Sequence, residues 1–302
     1  MTIVRALLRL LAFPGLLYAV PVAWLMLWLE RKLMARLQGR IGPPFYQPFF
    51  DFVKLLAKRP QARPRLQALT MTGLPVLAIA STLGALALLP VFPNNGGFSG
   101  DLVLLVALLE VPPLCAVLAG FASRSLYGEL GATREAMLSI AYSLPFLAAL
   151  IALAAAADSL SFSAIDLHGI WQVRLPALVA LMLCLPVKLH VNPFSVANAE
   201  QEIYTGATTE FEGPRLALWE LAHGLEWVAL TGLWATLAFP VIGVAWPIRA
   251  VAFVAISLVL VLLITSVAAA TARLKLAQAA RVYWQWGLAV ALLALVVAMV
   301  WP

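Results

Sequence analysis

Three carboxylates lie inside long hydrophobic runs of the chain, where a lipid bilayer makes charge costly. Glu110 stands in one run, and Glu220 and Glu226 stand in another with His223 between them. At 100° per residue, the last three side chains fall within about 120° of one helix face. A charge at the centre of a membrane helix costs about 2.5–3.5 kcal/mol, so such groups usually face a protein interior or a water path. We therefore expect a relay for protons or cations here, the alternative being neutral glutamates that only stabilise helix packing.

The other reactive side chains form no catalytic set. The sequence has no Ser/His/Asp arrangement, phosphate-binding loop, dinucleotide fingerprint or zinc motif. Cys115 and Cys184 stand in apolar runs, so neither a disulfide framework nor metal or iron–sulfur ligation is expected. His168, His190 and His223 are expected on different sides or depths, with no two of them paired. Any redox chemistry is therefore expected in other subunits.

The composition indicates how these groups are positioned. The chain is 63% hydrophobic and 11% charged, with a mean hydropathy of +0.96, which excludes a soluble domain of this length. The apolar runs are continuous rather than alternating, which predicts helices and not a barrel. We predict an all-α polytopic membrane protein with a single membrane domain, 1–302. Its eight expected spans are 10–29, 69–91, 102–122, 136–157, 174–190, 216–240, 248–270 and 283–301, the first being retained rather than cleaved as a signal peptide.

A basic loop, 30–68, follows the first span. Its stretch from Glu30 to Arg65 holds nine of the twenty Lys and Arg residues. With this loop in the cytoplasm, sixteen basic residues (Lys188 among them) fall on the cytoplasmic side and four on the other. We expect both termini outside and no nucleic-acid partner, because orientation accounts for the positive charge.

The basic loop also contains a helical pattern. Phe49, Phe52, Val53 and Leu56 recur at i, i+3, i+4 and i+7, which predicts a short amphipathic helix at the membrane surface. This helix is either an anchor in the lipid headgroups or a docking platform for a cytoplasmic partner. A second loop, 191–214, is acidic and includes aromatic, proline and glycine residues, so we expect it to be folded beside the basic loop.

Five motifs carry a family resemblance: Glu30-Arg31-Lys32, QGRIGP from Gln38, QPFFDFVKLLAKRP from Gln47, GELGATREAMLSIAYS from Gly128, and PFSVANAEQEIYTGATTEFEG from Pro193. Their order and spacing, from about residue 24 to 286, resemble the subunit 1 family of respiratory complex I. That family has eight transmembrane helices, the number counted above from hydropathy.

Departures from complex I indicate a branch of this family. The residues that complex I usually inserts after the Gly-Pro motif are missing, and positions acidic in complex I are Ser143, Ser195, Asn198 and His223. The pair Arg134-Glu135 and the run ARLKLAQAARVYW from Ala272 look like membrane-anchor subunits of group 4 membrane-bound NiFe hydrogenases, including formate hydrogenlyase.

This resemblance implies a subunit in a prokaryotic cytoplasmic (inner) membrane that anchors a hydrophilic hydrogenase arm and couples its electron transfer to H⁺ or Na⁺ movement. The implied partners are hydrogenase large and small subunits, an iron–sulfur subunit and antiporter-like membrane subunits. They would carry the NiFe and iron–sulfur centres, and this chain none. The expected docking residues are Glu30, Arg31, Arg36, Arg40 and Asp51. The expected ion-translocation residues are Glu110, Glu135, Glu200, Glu202, Glu210, Glu220, His223 and Glu226.

Two alternatives stay open at this point. The chain could be a true complex I subunit that contributes to a quinone chamber, or a structural membrane anchor without transport. A self-sufficient transporter is disfavoured because the spans show no internal repeat.

Overall fold

Every regular element in the described part of the chain is a helix. The computed structural model describes residues 15–89, 100–162, 165, 171–198, 206–239 and 246–300. Over these ranges it contains no strand, so the all-α prediction is confirmed. The helices are α1 (Leu16–Leu37), α2 (Gln47–Ala57), α3 (Arg65–Leu88), α4 (Asp101–Ala122), α5 (Leu126–Ala156), α6 (Trp171–Lys188), α7 (Gly213–Ala238), α8 (Trp246–Ala270) and α9 (Leu276–Val300).

Six of these helices, α3, α4, α5, α6, α8 and α9, are long and apolar enough to cross a membrane. Helices α1 and α7 overlap the predicted first and sixth spans and have 22 and 26 residues. They are less apolar because Arg31, Glu220 and Glu226 interrupt their hydrophobic sequence. The multi-pass architecture is confirmed, and the count of eight spans stays a prediction.

Helix α7 is the centre of the bundle and packs against α1, α2, α3, α6 and α8. Glycines on two of its faces make this possible. A Cβ at Gly224 would lie 3.2 Å from the Ala23 side chain, and one at Gly232 would lie 2.3 Å from the Phe253 ring. Small residues at such positions allow close helix packing where the surrounding lipid supplies little hydrophobic drive.

Helix α2 confirms the predicted amphipathic element. The Trp24 ring of α1 lies 5.2 Å from Phe49 and 5.9 Å from Phe52, measured between ring centroids. Val53 and Leu56 remain exposed on α2. The aromatic part of the apolar face therefore fixes α2 to α1, while the rest is left for lipid or a partner.

The basic and acidic loops meet, as the sequence predicted. Arg63 donates through Nη2 to Oε2 and to the main-chain oxygen of Glu210, both at 3.0 Å. The Gln61 amide donates to Glu212 Oε1 at 2.7 Å. Gly213 has φ +54° and lies against the Lys58 carbonyl, an approach that favours glycine. These contacts hold the start of α7 beside the end of α2.

Helix α9 contains one π-helical turn, Tyr283–Gly287. The Tyr283 hydroxyl donates to the Leu183 carbonyl of α6 at 3.1 Å. The Phe194 ring packs 4.9 Å from the Tyr283 ring. A side chain from this turn therefore connects α9 to α6 and to the chain that follows α6.

Candidate functional site

A cavity of about 130 Å³ lies beside the central helix α7. Helices α4 and α5, the segment after α6 and the turn Gly206–Thr208 contribute the rest of its wall. Five ionisable side chains line it: Glu135, His190, Glu220, His223 and Glu226. The sequence predicted four of these five, and the structure brings those four together with His190.

The face of α7 toward the cavity carries a hydrogen-bonded histidine. Trp227 Nε1 donates to His223 Nε2 at 3.2 Å, which requires a lone pair on Nε2. The proton of a neutral His223 therefore sits on Nδ1, and this atom lies 3.8 Å from Glu226 Oε2. Tryptophan thus selects the tautomer that presents its N–H to the glutamate.

A second histidine–carboxylate pair faces the first. His190 Nδ1 lies 3.5 Å from Glu135 Oε2, and the Glu135 side chain is 3% exposed. Neither Glu135 oxygen has a well-formed hydrogen bond within the described residues, although Ser139 lies nearby. An unsatisfied buried carboxylate is costly unless it is protonated or reached by water, so this site is suited to proton exchange.

The two pairs approach each other through their imidazole rings. The His190 and His223 ring centroids are 6.1 Å apart. The expectation that no two histidines pair was therefore wrong. The chain turns after α6 with His190 at φ +53°, and this local reversal directs the ring toward α7. His168 lies outside the described residues.

An ion pair between the buried Lys188 and the partly exposed Glu110 continues the polar cluster. Lys188 Nζ lies 2.8 Å from Glu110 Oε1, and Ser143 donates to Glu110 Oε2 at 3.2 Å. The ammonium also sits over the rings of Tyr142 and Phe146, at 4.7 and 4.6 Å. Cation–π contacts and the carboxylate together offset the loss of hydration at a lysine whose side chain is 1% exposed.

On the sequence alone, Lys188 counts only among the basic residues of the cytoplasmic side and has no assigned partner. The residue ends α6 and points into the protein because Glu110 and two aromatic rings surround it. Lys188 also interacts electrostatically with Glu135, which connects this pair to the cavity.

On the other side of the cavity, Arg31 links α1 to both α2 and α7. Its guanidinium lies 3.3 Å from Asp51 Oδ2 and 3.7 Å from Glu220 Oε2. Gln47 donates to the second Asp51 oxygen at 2.8 Å. Glu30 interacts electrostatically with Arg31, Glu220 and His223. Charged groups thus extend from the surface helix α2 to Glu110 and the buried Lys188.

Some predicted residues lie elsewhere. Glu210 pairs with Arg63 in the loop contact described above, outside the cavity. Glu200 and Glu202 lie outside the described residues. Of the docking residues, Arg36 and Arg40 are exposed, and Arg40 donates to Gln38. Arg31 and Asp51 are each 41% exposed and also hold helices of this chain together, and their role in docking stays a prediction.

Sequence reasoning missed His190 and Lys188 as members of the cluster. Lys188 stands two residues after Pro186, within the 18-residue apolar helix α6. A lysine inside a predicted span signals a buried partner, in the same way as the glutamates did. His190 had no comparable signal, because its position depends on a turn.

The spacing of these groups suits stepwise proton exchange. Glu226 and His223, and likewise His190 and Glu135, lie 3.8 and 3.5 Å apart, which is near hydrogen-bond reach. A longer gap such as that between the two rings needs one bridging water or a small side-chain movement. The arrangement therefore places two adjacent imidazoles between two carboxylates, across α5, α7 and the segment after α6.

Comparison with known proteins agrees with this architecture. The sequence profile of the family described as NADH dehydrogenase matches residues 11–299. The chain is 32% identical to hydrogenase-4 component C of Escherichia coli (strain K12) over 219 residues, covering 70% of this chain and 69% of that protein. It also matches a chain in the structure of the membrane-bound sulfane sulfur reductase, an archaeal respiratory membrane complex, with TM-score 0.83 and 26% identity over 98% of this chain and 99% of the other.

Proposed function

Since this chain belongs to the NADH dehydrogenase family and is a membrane subunit of the hydrogenase-4 and complex I-like type, we propose that it couples electron transfer in a hydrogenase-like arm to movement of H⁺ or Na⁺. The observation that carries the proposal is the row of charged groups that joins α2 to the Lys188–Glu110 pair through the cavity beside α7. Intramembrane ionisable groups with partners on several helices are typical of ion paths.

The two histidine–carboxylate pairs define the proposed proton steps. His223 takes a proton on Nε2 as its hydrogen bond from Trp227 opens, and it gives its Nδ1 proton to the ionised Glu226. His190 takes a proton through a bridging water and passes it to Glu135. Lys188 lies near Glu135 and stabilises its ionised form, so a shift of Lys188 between Glu110 and Glu135 would change which carboxylate holds the proton.

The proposed partners rest on the similarity to the hydrogenase-4 component. We infer a hydrogenase large and small subunit and an iron–sulfur subunit in the hydrophilic arm, with antiporter-like subunits in the membrane. The NiFe and iron–sulfur centres belong to those partners. The exposed Arg36 and Arg40 are the residues we assign to docking, with the basic loop in the cytoplasm.

The test is ion movement by the intact complex in sealed proteoliposomes. Glu135→Gln and Glu226→Gln should retain electron transfer but reduce ion translocation per electron at least roughly tenfold, the scale expected when a positioned proton-transfer group is removed. Glu129→Gln is the matched control, because it removes the same charge at an exposed position outside the cavity. Unchanged translocation in both cavity variants would leave the chain as a structural anchor.

A further inference from the structure

A second cavity, of about 260 Å³, lies between α1, α2 and α7. Its wall has two chemistries. Trp24, Leu27, Phe52 and Leu221 make one side apolar. Lys54 and Lys58 stand on its charged side, together with the Arg31–Asp51–Glu220 group described above.

Lys54 and Lys58 are the charged groups of this cavity that no acidic side chain of the described residues pairs with. Arg31 is held by both Asp51 and Glu220, so these three groups satisfy one another. Lys54 and Lys58 are exposed and make no ion pair or side-chain hydrogen bond within the ranges that the structure describes. A site with two free ammonium groups next to an apolar wall has the charge to hold an anion and the surface to hold a hydrocarbon group.

We propose that this cavity binds the headgroup of an anionic phospholipid, with its phosphate on Lys54 and Lys58 and its glycerol and first methylenes against Trp24 and Phe52. Helix α2 is amphipathic and packs on α1 and α7, which are two of the spans predicted from the sequence, so the proposal places the lipid headgroups at the level of the cavity. Each basic residue near a membrane surface attracts anionic lipid, and a phosphate accepts charge-assisted hydrogen bonds from lysine. The volume is below that of most drug-sized ligand sites, which fits a headgroup whose chains remain in the bilayer.

Selective lipid binding tests this proposal. The full-length chain is purified with its native partners, delipidated in mild detergent, and titrated with phosphatidylglycerol or phosphatidylcholine while native mass spectrometry counts bound lipid. We expect tighter binding of phosphatidylglycerol, and a loss of roughly 10–30-fold in its affinity for Lys54→Ala/Lys58→Ala. Equal affinity of the wild type for the two lipids, or equal phosphatidylglycerol affinity in wild type and variant, would overturn the site.

Two controls separate the cavity from general surface charge. Arg59→Ala/Arg65→Ala removes two exposed positive charges from the same loop outside the cavity, and we expect it to retain most of the phosphatidylglycerol affinity. An equal loss in this control would assign the preference to the loop as a whole and refute the site. Inorganic phosphate should not displace the lipid at equal concentration, and displacement would indicate a site for the free ion instead.

Discussion

At the level of single residues, Lys188 and Glu110 depend on each other. Both come from helices that are apolar enough to span the membrane, and they meet at 2.8 Å. Removing one partner of a buried ion pair leaves the other charge uncompensated, whereas replacing both is much less costly. Tyr142 and Phe146 lie against the ammonium but cannot replace the carboxylate.

We therefore predict that Lys188→Met lowers the free energy of unfolding by about 1–3 kcal/mol, less than for a fully buried pair because the Glu110 side chain is 28% exposed. The double variant Lys188→Met/Glu110→Leu should recover most of that loss, because no buried charge then remains. Denaturation of the purified chain in mild detergent measures both values. Additive losses in the double variant would contradict a direct pair.

Single residues also show which parts of the candidate site could be predicted from the sequence. The spacing of Glu220, His223 and Glu226 predicted that they share one face of α7, because helical periodicity is a local property. The contact between His190 and His223 was missed, because it depends on a turn at φ +53° and on packing between residues far apart in the chain.

At the level of elements, the cavity wall depends on how close the turn Gly206–Thr208 comes to α5. A Cβ at Gly131 would lie 2.6 Å from the Gly206 Cα and 2.6 Å from the Ala207 amide nitrogen. Both neighbours are backbone atoms, so neither can rotate away. Glycine at 131 therefore allows the acidic loop to close one side of the cavity that contains Glu135.

Gly131→Ala should displace this turn and cost about 1–3 kcal/mol of stability, the range for overpacked sites. Ion translocation should fall with it. Gly73→Ala is the control, because a Cβ there meets nothing within 4 Å. It should be neutral or stabilise α3 by up to about 1 kcal/mol. Thermal unfolding of both variants, followed by the proteoliposome assay, decides the prediction.

The hydrophobic pattern predicted the elements themselves well. The apolar runs located the helices and the i, i+3, i+4, i+7 spacing located α2, because both signals reside in neighbouring residues. The arrangement of the helices around α7 could not be predicted. It is set by contacts between small residues, such as Gly224 against Ala23, that belong to different apolar segments of the sequence.

At the level of the whole molecule, two loops that are far apart in sequence close one end of the bundle. Arg63 and Glu210 are the ion pair between them. The Gln61–Glu212 hydrogen bond lies beside it. The contact fixes α2 relative to α7, and so fixes the cavity between α1, α2 and α7.

Charge reversal tests this contact. Arg63→Glu and Glu210→Arg should each increase protease cleavage in the two loops, because like charges then face each other. The combined exchange should restore protection, although a partly exposed pair is worth only about 0.2–1 kcal/mol. Limited proteolysis of membranes that contain each variant gives the comparison. Failure of the double exchange to restore protection would assign the loop contact to the Gln61–Glu212 bond.

The pairing of Arg31 with Glu220 also has a consequence for biosynthesis. The two residues are about 190 positions apart, so at roughly 5–20 residues per second the ribosome completes Glu220 some 10–40 s after Arg31. During that interval α1 lies in or near the membrane with its basic end unpartnered by α7. Packing of α1 against the centre of the bundle is therefore completed only when α7 arrives, and chains that terminate before α7 are expected to be substrates for membrane quality control.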